Sequence, residues 1–307
     1  MEKKKNKILV YGTGAVGGFF GGKLALNPEN DVRFIARSNY THLNAKGLKV
    51  KSVDGDFHIK KVKAHKSPSN AKFIPELVIL AMKSYDTDDA IAKLKKVVDK
   101  DTYFLSLQNG LMNYEKLVKA FGRKRVIRGF CYVGSEMLAN GIIKHSSNGI
   151  IIIGESPGIS SKVIDRFHNI FTSCNIKTRI AEDIVHDIWV KYMWNCIYNV
   201  LCMIIGKNTD SLFSNKTSEA FVRDLYKELA SVAKGYGVKL TPKDELSVID
   251  RVIKTGPFKP STLQDREKGK TLEYETFTGD ILRFASKKKV SVPINTVLYS
   301  LLKAIDS

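Results

Sequence analysis

Residues 7–11 read Lys-Ile-Leu-Val-Tyr, a short apolar run of the buried-strand type, and lead straight into Gly12-Thr13-Gly14-Ala15-Val16-Gly17. Residues 18–26 then have helical character and stop at Asn27-Pro28. Strand, glycine-rich turn and helix in that order begin a βαβ unit, and only in that context is a Gly-x-Gly-x-x-Gly pattern informative. The glycines allow a tight turn and let backbone N–H groups approach a pyrophosphate at the helix N-terminus. The plain alternative is a packing turn that happens to be rich in glycine.

The first half of the chain continues the alternation. Residues 32–36, 77–82 and 103–107 are apolar runs, and the last two lead through polar turns to helical stretches at 87–98 and 113–121. Such alternation indicates a parallel sheet with helices on both faces. Residues 48–53 and 57–64 suggest a hairpin around Asp54-Gly55-Asp56. Residues 126–155 are strand-rich, with turn signals at Asn140-Gly141 and Asn148-Gly149. A mixed extension of the sheet fits that pattern.

Beyond about residue 182 the character is helical. Helices are expected over 183–205 and 215–236, from Thr241-Pro242, from Ser261 toward Lys288, and from Pro293. The expected fold is α/β, with a Rossmann-type dinucleotide-binding domain at residues 1–181 and an all-α domain at 182–307. At 307 residues the chain exceeds the usual size of one core, which agrees with two domains.

Composition narrows the class. With 43% hydrophobic and 26% charged residues the chain reads as soluble and globular. Apolar runs such as residues 200–205 are too short to cross a bilayer, and the lysine-rich start Met1-Glu2-Lys3-Lys4 does not resemble a signal peptide. The cytoplasm is the expected compartment. Cys131, Cys174, Cys196 and Cys202 lack zinc spacing and read as reduced packing residues. The formal charge of +19 is spread in short lysine groups among acids, without one long basic tract. It reads as a lysine-rich solvated surface rather than a nucleic-acid site, and its field would still draw in a phosphorylated cofactor and a carboxylate substrate.

Several polar residues stand where chemistry is expected. Phe34-Ile35-Ala36-Arg37-Ser38 puts Arg37 where an acid would bind the ribose 2′-hydroxyl of NAD, so NADP (NADPH) is the expected cofactor. Lys83 and Asn109 follow apolar runs at the edge that lines the ligand crevice of such sheets. Lys191-x-x-x-Asn195-x-x-x-Asn199 places one ammonium and two carboxamides on one face of a greasy helix. A buried polar stripe of this kind hydrogen-bonds internally or faces a polar ligand. Ser261-Thr262-Leu263-Gln264 reads as a capping box, and Glu273 lies further along the same expected helix.

Taken in order, the glycine turn, Arg37, Leu80-Ala81-Met82-Lys83, Gln108-Asn109-Gly110, the Lys191 stripe and Ser261-Thr262-Leu263-Gln264-Asp265 with Glu273 resemble the ketopantoate reductase (2-dehydropantoate 2-reductase) family over almost the whole chain. The resemblance implies NADPH-dependent reduction of ketopantoate to (R)-pantoate, on the route to pantothenate and coenzyme A. It implies Lys191 as general acid and Glu273 as a second catalytic group. Asn109, Asn195 and Asn199 would position substrate or cofactor, and Ser261 would bind the substrate carboxylate. Gly12, Thr13, Gly14, Ala15, Val16, Gly17, Arg37, Lys83 and Asn109 would hold the cofactor.

The residues suit these roles. Hydride addition to a ketone leaves a developing alkoxide that needs a proton and positive charge, both of which Lys191 supplies. A helix N-terminus at Ser261 favours a carboxylate, and Glu273 would pair with Lys191. Departures from the family pattern are Leu272 before Glu273 and Thr278 before Gly279, and Asn208 aligns only loosely with a further substrate-region asparagine. Another 2-keto acid as substrate, or a non-catalytic NADP-binding regulator, are the alternatives. No metal, membrane or nucleic-acid partner is expected; a homodimer is compatible with the chain.

Overall fold

The computed structural model describes residues 5–139 and 141–306. Met1–Lys4 and the turn signal at Asn140 lie outside them. The chain divides into two compact units: Met1–Gln108 with Asn113–Ile184, and Asn109–Met112 with Val185–Ser307.

The first unit is a sheet with helices. Its strands are β1 (Asn6–Tyr11), β2 (Asn30–Ile35), β3 (Leu48–Ser52), β4 (Phe57–Ile59), β5 (Ala64–His65), β6 (Leu77–Leu80), β7 (Tyr103–Ser106), β8 (Val126–Met137), β9 (Ile143–Gly154) and β10 (Lys177–Ala181). The order across the sheet is β4-β3-β9-β8-β7-β6-β1-β2-β5, and β10 pairs with β9. The run from β2 through β1, β6 and β7 to β8 is parallel, whereas β8 and β9 are antiparallel. The mixed extension expected from residues 126–155 is therefore present, and β3 and β4 form the expected antiparallel pair.

Helix α1 (Ala15–Leu26) follows β1, with α2 (Tyr40–Lys46), α3 (Thr87–Leu94), α4 (Met112–Phe121) and α5 (Ser161–Thr172) after later strands. Val10, Phe19, Phe20, Leu24 and Phe34 are buried in one core, and Leu9, Val78, Leu80, Ile91 and Leu117 in another. Chain order reverses around β1, which lies between β2 and β6. At such a switch point the C-terminal strand ends and the helix that follows open toward a ligand.

The second unit is helical and is built on one segment, Ile184–Ile205. It comprises α6 (Ile184–Trp194), a π-helical turn (Asn195–Asn199) and α7 (Val200–Ile205). The remaining helices are α8 (Lys216–Gly235), α9 (Pro242–Thr255), α10 (Ser261–Glu267), α11 (Asp280–Lys288) and α12 (Pro293–Ile305). Contrary to the expectation from its short apolar runs, Ile184–Ile205 is by length and composition alone apolar enough to cross a bilayer. Of its most apolar window 67% is buried inside the protein, among Leu225, Leu229, Val248, Phe277 and Ile281. Its apolar surface is the centre of a core.

Caps fix the surrounding helices. Asn215 accepts from Ser218 N at 2.9 Å ahead of α8, and Thr241 with Asp244 forms a capping box ahead of α9. The carboxylate of Glu228 accepts from the backbone of Ile294 and Asn295, both at 2.8 Å, at the N-terminus of α12. That anion meets the positive end of the helix dipole. All four cysteines are buried and unbridged.

Candidate functional site

In the first unit, the turn after β1 is built for close approach. Gly12 has φ +94, and a Cβ there would stand 2.4 Å from the backbone nitrogen of Met82. A Cβ on Gly17 would stand 2.1 Å from the carbonyl oxygen of Gly12. Gly14 differs: nothing lies within 4 Å of a Cβ built there, and it precedes α1 without a side-chain cap. No side chain caps the first N–H groups of α1, an arrangement that suits an incoming acceptor such as a pyrophosphate.

Thr13 is buried and its hydroxyl donates to Ile35 O at 3.1 Å, while the Asn39 amide donates to Thr13 O. The loop after β2 is thereby folded back against the glycine turn. It carries Arg37, whose guanidinium pairs with Asp86. That carboxylate raises the Arg37 pKa. Lys83 precedes the short turn Ser84–Asp86, and Gln108 donates to Thr87 Oγ1 at 2.9 Å, so the ends of β6 and β7 are tied together. Ala15 and Val16 open α1. These residues suit a dinucleotide.

In the second unit, hydrogen bonds join four of the expected residues. Lys191 Nζ donates to Asn109 Oδ1 at 3.5 Å, and Asn195 Nδ2 donates to the same oxygen at 3.4 Å. Asn199 Nδ2 donates to Asn195 Oδ1 at 3.3 Å. The stripe therefore keeps to one face, although Asn195–Asn199 is π-helical rather than the α-helix expected. A π turn widens the helix locally, and such turns are frequent at functional sites. Both asparagines are buried, so their amides are held by each other and by neighbouring groups.

A second π-helical turn, Glu275–Gly279, packs nearby. The Tyr192 hydroxyl donates to Thr276 O at 2.9 Å and Phe277 O at 3.1 Å, linking the residue beside Lys191 to that turn. Burial raises the Tyr192 pKa well above its ordinary value, with Cys196 adding to the effect, so the phenol is a neutral donor. Gly110, at φ +90, lies against the same turn: a Cβ on it would stand 2.4 Å from Thr276 Cγ2. Asn109 is thus anchored through its neighbour as well as by its own amide. Thr276 N in turn donates to Glu273 O at 3.0 Å.

Two expectations need correction. The helix opened by Ser261 ends at Glu267, and Gly269 follows at φ +62, so the chain breaks before Glu273. Glu273 is buried in the non-helical segment ahead of Tyr274 and does not share a helix with Ser261. Ser261 is also not a cap. Pro260 occupies the cap position, and Ser261 is the exposed first residue of the helix. Thr262, next to it, donates to Asn199 O at 2.9 Å, which holds the start of α10 against the end of the stripe. Arg266 donates to Met203 O and Ile204 O and so caps the C-terminus of α7. Asn208 precedes the turn Thr209–Phe213 and its carbonyl accepts from Ser211 Oγ at 2.6 Å.

Sequence reasoning missed Tyr192, Thr276 and Asp86. Tyr192 reads as one more aromatic on a greasy helix, and Asp86 as one of several acids around α3. Only Gly110, within the quoted Gln108-Asn109-Gly110, hinted that a neighbour approaches closely there.

Comparison with known proteins decides the family. Residues 8–158 match the ketopantoate reductase PanE/ApbA model, and residues 183–306 match its C-terminal counterpart. The chain belongs to the ketopantoate reductase family. It is 30% identical to the 2-dehydropantoate 2-reductase of Nostoc sp. over 98% of this chain and 96% of that protein. The crystal structure of 2-dehydropantoate 2-reductase from Geobacter metallireducens superposes with a TM-score of 0.91 at 27% identity, covering 97% of this chain and 99% of that one. A D-mandelate dehydrogenase described with NADH and anilino(oxo)acetate superposes at TM-score 0.85 and 21% identity, over 98% of each chain, which shows the fold alone. As a ketopantoate reductase family member the chain is an oxidoreductase acting on a small molecule with a nicotinamide dinucleotide. The expected fold class, an α/β dinucleotide-binding part followed by a helical part, is borne out.

Proposed function

We propose that the protein reduces ketopantoate to (R)-pantoate with NADPH, as a cytoplasmic enzyme whose residues 1–181 bind the cofactor and residues 182–307 carry substrate binding and catalysis. The observation that carries this reading is the hydrogen-bonded chain Lys191–Asn109–Asn195–Asn199, an ammonium held among carboxamides inside an apolar helical unit. The dinucleotide supplies hydride when bound. Gly12, Thr13, Gly14, Ala15, Val16 and Gly17 would hold its pyrophosphate, Arg37 would meet its 2′-phosphate, and Lys83 would contact the cofactor. Asn109 takes part in positioning cofactor and substrate.

Lys191 acts as general acid. Its ammonium gives a proton to the alkoxide oxygen that forms when the 2-keto carbon is reduced, and its charge stabilises that oxygen beforehand. Asn109 orients Nζ through its side-chain oxygen. Asn195 and Asn199 offer donors and acceptors to the keto and hydroxyl groups of the substrate. Ser261, exposed at the start of α10, binds the carboxylate. Glu273, buried one residue after Leu272, is the second catalytic group and keeps Lys191 protonated and oriented.

The test is turnover of purified protein with NADPH and a panel of branched 2-keto acids. Ketopantoate should be the preferred substrate, and Lys191→Ala should lower kcat by on the order of 10²-fold or more. Turnover of a different 2-keto acid in preference would keep the reaction and change the substrate, as the departures at Leu272 and Thr278 allow.

A further inference from the structure

The loop after β2 carries the cation expected to meet a 2′-phosphate, and the turn after β6 carries that cation's counter-ion partner. Arg37 is paired with Asp86, with side chains 57% and 22% exposed. Asp86 ends the short turn Ser84–Asp86, and its N–H donates to Lys83 O at 3.1 Å, so its backbone is fixed. The neighbouring acids have other cations: Asp88 pairs with Lys116 at 2.7 Å and Asp89 with Lys93 at 2.6 Å. Tyr11, at the end of β1, places these charges beside the glycine turn. Burial pushes its phenol up to about 12, Asp89 and Asp86 add to that, and Arg37 opposes it.

We propose that Asp86 is a specificity-determining residue that competes with the 2′-phosphate for Arg37 and so weakens the preference for NADPH over NADH. This rests on the reading that Arg37 meets the 2′-phosphate. A phosphate monoester carries close to two negative charges at neutral pH and binds a guanidinium in the same forked manner as a carboxylate. The two anions cannot share Arg37 without repulsion, so NADPH binding must displace Asp86 or accept its charge nearby. NADH has no such conflict, because a carboxylate accepts from a ribose 2′-hydroxyl. Asp86 therefore costs NADPH affinity and costs NADH none. Both side chains are partly in water, so the effect is moderate and weakens with salt.

The experiment is a calorimetric titration of the full chain with NADP⁺ and with NAD⁺, for wild type, Asp86→Asn, Arg37→Ala and the double variant. Asp86 makes no side-chain cap bond to α3, so asparagine leaves the helix start intact; Asp86→Ala and melting curves check that folding is unaffected. Asp86→Asn should tighten NADP⁺ by about 3- to 30-fold and NAD⁺ by less than about twofold, with the NADP⁺ gain smaller in the Arg37→Ala background. If Asp86→Asn weakens or leaves unchanged NADP⁺ binding while Arg37→Ala abolishes a wild-type NADP⁺ preference, the competition is overturned and the NADPH reading stands. If Arg37→Ala alters neither nucleotide, the NADPH reading of Arg37 falls, and the competition with it.

Discussion

Replacing Gly110 by alanine probes how the Asn109 turn is held in the helical unit. Gly110 has φ +90, a region that an L-residue enters at a cost of about 1–2 kcal/mol. The added methyl would stand 2.4 Å from Thr276 Cγ2, roughly 1 Å inside the optimum separation of about 3.5 Å for two carbons. Relieving that overlap is a small-to-large change costing about 1–3 kcal/mol. Together the two terms destabilise by about 2–5 kcal/mol, whether the turn or the threonine moves. Asn109 moves with the turn, and its Oδ1 accepts from both Lys191 at 3.5 Å and Asn195 at 3.4 Å. A displacement of about 1 Å at a reacting group lowers the rate on the order of 10²-fold.

Urea unfolding followed by helical circular dichroism, together with kcat, measures both effects. The companion change Thr276→Ser deletes Cγ2 and nothing else. In the double variant the steric share of about 1–3 kcal/mol should return while the backbone strain persists. A Gly110→Ala protein that unfolds at the wild-type midpoint and turns over at the wild-type rate would refute the packing argument. A double variant no more stable than Gly110→Ala would refute its steric half.

Other outcomes follow from single contacts. Tyr192→Phe removes the hydroxyl that donates to Thr276 O and Phe277 O, so stability should fall by about 0.5–1.5 kcal/mol and kcat should fall while the nucleotide dissociation constant stays put; urea unfolding and calorimetry read the two. Gly12→Ala meets both φ +94 and the Met82 backbone at 2.4 Å, so nucleotide binding should weaken at least about tenfold by titration. Burial pushes the Cys202 thiol up to about 12 and raises Cys196 well above its ordinary value, so both remain neutral thiols at pH 8. Mass spectrometry after iodoacetamide should find them unmodified in native protein and alkylated after unfolding.

The sequence was most legible where structure is local. The run at residues 7–11, the glycine turn and α1 announce themselves within about twenty residues, since the strand and helix periods and the turn residues all lie next to one another. The Lys191, Asn195 and Asn199 spacing likewise predicted one shared face, and the hydrogen bonds confirm it. What escaped depends on partners distant in the chain. The two π turns have no residue signature, because a widened turn is favoured by what packs against it. The break before Glu273 turns on Gly269, which a helical pattern tolerates on paper. The Arg37–Asp86 pair has no sequence signal, because Asp86 lies far along the chain and reaches Arg37 only through the sheet order that places β6 and β2 on either side of β1.

The central claim is that Lys191 delivers the proton in an NADPH-dependent reduction of a 2-keto acid. Its most direct test is single-turnover oxidation of NADPH by ketopantoate, followed by loss of reduced-nicotinamide absorbance, in wild type and Lys191→Ala with both proteins saturated. Wild type should oxidise NADPH, and the variant should do so on the order of 10²-fold or more slowly with nucleotide affinity retained. Equal single-turnover rates would remove Lys191 from the chemistry and contradict the account.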